Sequence, residues 1–71
     1  MKITEPADLG KAIKDRRKQL GYTQLFVSEQ TGLSVSFISD IENGKNTAEI
    51  GKTLKLVNLL GMDMLIYKRG E

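Results

Sequence analysis

The sequence predicts a compact all-α domain of four helices closed by one β-like stretch, and three observations predict it. Four segments carry apolar residues at helical spacing, with glycine punctuation at Gly21, Gly32, Gly44 and Gly61. The segment QLFVSEQTGLSVSFISDI, Gln24 to Ile41, reads as two short helices joined by a tight turn at Gly32. Its small and apolar residues fall where two steeply crossing helices must touch. Only one stretch, MDMLIYK (62–68), is β-like.

Pro6 suits the first turn of a helix, and helix one is expected from Pro6 to Leu20 with Gly21 as its stop. Its apolar seam is Leu9, Ile13 and Leu20. Arg17 falls on that seam, so it requires a partner. Thr23 caps helix two, expected over Gln24 to Thr31. Gly32 supplies the left-handed conformation that reverses the chain, and Leu33 anchors the turn. Ser34 caps helix three, expected over Val35 to Glu42, and Asn43-Gly44 ends it. Helix four is expected from Ala48 to Leu60, capped by Asn46 or Thr47. Its apolar set of Ile50, Leu54, Leu56, Val57, Leu59 and Leu60 is wider than one seam requires. The surplus can face a second subunit.

Backbone groups of a lone strand cannot stay unpaired if buried. Pairing of residues 62–68 with the same strand of a symmetry mate would give a twofold dimer. Met62, Met64, Leu65, Ile66 and Tyr67 are the candidate dimerisation residues. The alternative is a C-terminal extension lying on the core. No internal repeat or linker interrupts the 71 residues, so one domain is expected.

A domain this short buries roughly 60% of its unfolded surface and is only marginally stable alone. The sequence has no cysteine and no histidine. That excludes disulfide staples and removes the usual metal ligands and the usual general base. No nucleophile-and-base arrangement and no phosphate-cradling glycine loop is legible, so neither catalysis nor a cofactor is expected. Eleven basic residues against nine acidic leave +2. Lys11, Lys14, Arg16, Arg17 and Lys18 cluster with only Asp15 among them, close enough to the paired helices to favour phosphate attraction. No apolar run approaches the roughly 20 residues of a membrane span, and no signal-peptide pattern is present. A cytoplasmic protein is expected.

Four constellations carry the functional reading. Val27, Ser28, Gly32, Ile38 and Ile41 build the crossing of helices two and three, which projects helix three outward, where it can enter a major groove. Arg17 and Glu42 each lie on the inward seam of their helix, which suggests a partly buried ion pair. The face of helix three away from Ile38 and Ile41 presents Val35, Ser36, Ser39 and Asp40, with Ser34 at its tip. Serine hydroxyls can meet bases or phosphates, Val35 can meet a thymine methyl, and Asp40 can either accept from a cytosine amino group or repel phosphate. These side chains are short, so DNA shape and phosphate contacts are expected to share the specificity. Gln24, in the first turn of helix two, and Asn43 and Lys45, just past helix three, are candidate phosphate grips. Leu25 and Phe26 begin helix two where water-facing residues are usual. Either they pack on helix one or the chain ends, or they form an apolar patch for a protein partner.

The segments LGKAIKDRRKQLGYTQ, TGLSVSFISDIENGKNT and LKLVNLLGMDM together resemble the Cro/C1-type (Xre) helix-turn-helix family, over about Leu9 to Met62. The resemblance implies a lambda-repressor-like fold of four or five helices. It places Gln24 on the family's phosphate-binding glutamine. Ser34, Val35, Ser36, Ser39 and Asp40 fall on base-facing positions, Asn43 and Lys45 on backbone contacts, and Arg17 with Glu42 on the interior ion pair. Within that family the short length and the tail GMDMLIYKRG most resemble HipB-type antitoxins. That likeness implies a homodimeric, autoregulating repressor on a palindromic operator, with a HipA-like serine/threonine kinase toxin as partner. Two other readings stand beside it: a stand-alone or phage-type regulator without a toxin, and an interaction module that no longer binds DNA. Leu25 and Phe26 depart from the family's usual polar residues, and the base-facing set is short of amides.

Overall fold

Pro6 sets the start of the first helix, because a proline at the first helical position gives up only an N–H that would lack a partner anyway. The computed structural model describes residues 2–70 and holds four helices: α1 (Pro6–Gln19), α2 (Gln24–Thr31), α3 (Val35–Glu42) and α4 (Ile50–Leu59). Asp8 secures the entry to α1. Its carboxylate accepts from the backbone N–H of Thr4 at 3.0 Å and of Glu5 at 3.3 Å, and from the Thr4 hydroxyl at 3.0 Å. Gly21, with φ +76°, and Gly32, also at +76°, supply the left-handed turns that end α1 and α2.

Ile13, Val27, Leu33, Ile38, Ile41, Leu56, Val57 and Leu60 form the core, with Leu9, Leu20, Tyr22, Phe37, Ala48 and Met62 packed around it. α1 lies against α3, and α2 against both α3 and α4. The α1–α3 contact is made at backbone range. A Cβ built on Gly10 would overlap the Ile41 carbonyl oxygen and sit 3.0 Å from that of Glu42. At the other end of α1, the Arg16 Nε donates to the carbonyl of Leu60 at 2.9 Å and so caps α4.

One expectation needs correction. Helix four begins at Ile50, not Ala48, and neither Asn46 nor Thr47 caps it. Those two residues form a turn, Ala48 packs on the core, and Glu49 takes the N-cap position in extended conformation. The chain leaving α3 needs these residues to cross to the start of α4. Of the apolar surplus on α4, Ile50, Leu54 and Leu59 are exposed, while Leu56, Val57 and Leu60 are buried.

The tail is expected to form a strand only by pairing with a second copy. Residues 62–68 are irregular within the single chain, and no strand occurs among the described residues. A strand is defined by its ladder, and within one chain this segment has nothing to pair with. Met62 turns back onto the core, whereas Met64, Leu65, Ile66 and Tyr67 are exposed, Ile66 at 93%. Beside them lies an open apolar groove of about 360 Å³, lined by Ile3, Leu9, Ala12, Val57, Met62, Met64, Leu65 and Tyr67 among others.

Candidate nucleic-acid interface

The crossing of α2 and α3 follows from four residues of the turn. Thr31 is buried, donates its hydroxyl to the Val27 carbonyl at 2.8 Å and accepts the Leu33 N–H at 3.1 Å. Ser28 donates to the Leu33 carbonyl. Leu33 is thereby pinned in the core, and α3 leaves the turn at a fixed angle. Both helices are capped by hydroxyls: Thr23 Oγ1 accepts from Phe26 N, and Ser34 Oγ from Phe37 N, each at 3.0 Å. The N–H groups ahead of those capped ones have no partner inside their helices.

The exposed face of α3 holds all five residues expected to face bases. Ser34, Val35 and Ser36 are exposed, and Ser39 and Asp40 half-buried. The residues after α3 turn back onto that face. Asn43 Nδ2 reaches Ser39 Oγ at 3.4 Å, and Lys45 Nζ reaches Asp40 Oδ2 at 3.3 Å. An exposed pair of this kind is worth little, so Lys45 is free to exchange Asp40 for another anion. Lys45 also removes part of the repulsion that Asp40 would otherwise direct at a phosphate.

Behind this face, Arg17 grips Glu42 as a fork. Nε donates to Oε2 at 2.7 Å and Nη2 to Oε1 at 2.9 Å, while Nη1 donates to the Tyr22 carbonyl at 2.8 Å. The Glu42 side chain is 2% exposed. Its hydrogen bond holds the Arg17 guanidinium above its ordinary pKa, against the opposing effect of burial. Among the described residues, every buried side-chain nitrogen and oxygen has a partner. The pair joins the last residue of α3 to the last turn of α1 and, through Tyr22, to the approach to α2.

Gln24 lies at the first position of α2, as the sequence implies, but its side chain has a partner that the sequence did not reveal. Its Nε2 donates to Glu42 Oε1 at 3.1 Å. Helical periodicity reports which residues share a face of one helix. It gives no distance between the start of α2 and the end of α3. Leu25 and Phe26 fall between the two readings offered for them. The Phe26 ring packs at 4.7 Å on Tyr22, itself against the core, while Leu25 is 61% exposed.

A family model described as helix-turn-helix matches residues 13–66. The chain belongs to the Cro/C1-type helix-turn-helix family. Members of this family are DNA-binding transcriptional regulators, not a class of enzyme. This regulator is 37% identical over 70 residues, 99% of its own length and 92% of the relative's, to y4mF of Sinorhizobium fredii (strain NBRC 101917 / NGR234), an uncharacterized HTH-type transcriptional regulator. It is 32% identical to the ImmF control region 10 kDa protein of Bacillus phage phi105, over 89% of this chain and 70% of that one. Among solved structures it resembles HipB in a HipB-O4 20mer complex, with a TM-score of 0.88, 28% identity and 97% of each chain covered. A HipA-HipB-O2-O3 complex gives a TM-score of 0.89 at the same identity and coverage. No helix among the described residues is long and apolar enough to cross a membrane.

Proposed function

We propose that this helix-turn-helix regulator is a homodimeric repressor of the HipB kind, controlling its own operon and binding a HipA-like kinase. Each subunit lays α3 in a major groove, with Ser34, Val35, Ser36, Ser39 and Asp40 against base edges. Gln24, Asn43 and Lys45 hold the flanking phosphates. Two copies related by a twofold axis read a palindromic site whose halves lie about one helical turn apart. The strands that join the copies are residues 62–68, and the exposed Leu65, Ile66 and Tyr67 beside the apolar groove are what they bury. The exposed Leu25 and the partly exposed Phe26 offer a protein partner an apolar contact.

The observation that carries this reading is the length of the likeness. Coverage of 97% of this chain and 97% of HipB includes most of the tail beyond α4, not the helix-turn-helix alone. Gel shifts with the chain's own upstream region test the DNA step: a shift at low salt that fades as salt rises is expected, and no shift at any salt refutes it. Co-purification with a kinase-like product encoded next to it tests the toxin step. The likeness to the phage phi105 protein favours a second reading, a stand-alone regulator. An isolated reading frame with no kinase-like neighbour would select it.

A further inference from the structure

Glu42 is too enclosed to touch DNA, yet it holds Gln24, one of the three side chains expected to touch a phosphate. Its carboxylate accepts three hydrogen bonds, two from Arg17 and one from Gln24 Nε2. A bond to a carboxylate is roughly twice as strong as one between neutral groups. It also decides the polarity of the amide. Turned over, Gln24 would set its carbonyl oxygen against the carboxylate, two acceptors face to face. The amide nitrogen is therefore fixed towards Glu42, and its second hydrogen remains to be donated. Gln24 opens α2, where the first backbone N–H groups are also without intrahelical partners. A phosphate arriving there requires donors and is repelled by an amide oxygen.

We propose that Glu42 is a positioning residue for DNA binding: the buried Arg17–Glu42 pair sets which pole of the Gln24 amide meets the phosphate. This rests on the phosphate contact assigned to Gln24 above. One nitrogen then spans an interior carboxylate and an exterior anion, each taking one hydrogen. The ion pair thus acts on affinity as well as on the docking of α3 against α1.

A double-mutant cycle tests this. Arg17→Met with Glu42→Leu replaces the pair by apolar groups of similar volume, a change that is often neutral for folding. Gln24→Ala is made in that background and in the wild type. Affinity for a duplex of the chain's own upstream region is read by fluorescence anisotropy, and thermal unfolding reports folding. In the wild type, Gln24→Ala should weaken binding about tenfold, as for loss of a hydrogen bond to a charged group. With the pair removed, the same change should cost about fivefold or less, because a free amide presents the wrong pole about half the time and apparent affinity falls with the competent fraction. A general loosening of α3 cancels in the cycle, so equal losses in both backgrounds overturn the proposal.

The side-chain amide signals of Gln24 in the wild-type protein give a second measurement that needs no variant. One proton should keep its position when duplex is added and the other should move. If neither moves while backbone amides of α3 do, DNA binds and the proposal fails. If no duplex binds at low salt, the phosphate contact and the proposal fall together.

Discussion

Gly10→Ala sets two effects of known size against each other. Alanine in mid-helix is favoured over glycine by about 0.5–1 kcal/mol, and on an open helix face it would stabilise α1. Here the added Cβ would overlap the Ile41 carbonyl oxygen and lie 3.0 Å from that of Glu42. Those are backbone atoms, not the ends of flexible side chains. The Ile41 carbonyl already accepts the Gly44 N–H at 3.0 Å, which holds the exit of α3. Relief requires α1 and α3 to separate, at an overpacking cost of about 1–3 kcal/mol. The clash should therefore win, with a net loss of about 1–2 kcal/mol. For a domain of this size each kcal/mol moves Tm by roughly 4–8 °C. Gly51→Ala is the matched control. Gly51 is also helical, but a Cβ there meets nothing within 4 Å, so the change should raise stability. Urea unfolding of the three proteins at one fixed concentration gives both values, since dimerisation would make stability concentration-dependent. A Gly10→Ala protein as stable as the wild type would refute the backbone-contact argument.

Ile66→Pro should lower the mass seen by light scattering towards that of the monomer, because proline removes a ladder donor; an unchanged mass would rule out strand pairing through this residue. Lys45→Ala should weaken binding to all duplexes alike and reduce the salt slope of the affinity by about 1, and a sequence-selective loss would contradict its assignment to phosphate. Asp8 tests the acid limb of stability. Hydrogen bonds from the Thr4 backbone and hydroxyl hold its carboxyl below the ordinary 3.8, so the folded state has the lower pKa. Its contribution is then present above about pH 4 and lost as pH falls through the folded value. Asp8→Asn should flatten that part of the pH profile in acid unfolding, and an unchanged profile would show that the Thr4 contacts contribute nothing.

α2 and α3 were legible to the residue, because both ends of each carry a local signal: Thr23 and Gly32 for one, Ser34 and Asn43-Gly44 for the other. Arg17 and Glu42 were legible as partners because each interrupts an apolar seam with the opposite charge, and the two meet in a fork. The start of α4 was misplaced because Asn46 and Thr47 are good capping residues that here serve a turn instead. Where caps compete, packing decides, and Ala48 is held by the core. Thr53, buried with its hydroxyl on the Glu49 carbonyl at 2.8 Å, passed unseen since threonine carries no apolar signal. The Gln24–Glu42 and Arg16–Leu60 bonds were invisible for a common reason. Each depends on how far apart two elements lie in space, which no periodicity along a helix reports.

Arg16 and Arg17 are consecutive, yet one ties α1 to the end of α4 and the other ties it to the end of α3. Successive residues on a helix point about 100° apart, so one rotational setting of α1 serves both attachments. Inserting or deleting a single residue between Asp8 and Arg16 would swing the two guanidinium groups together away from both carbonyl and carboxylate. The first helix is therefore a strut of fixed length and fixed twist, and changes in chain length are tolerated only beyond its ends.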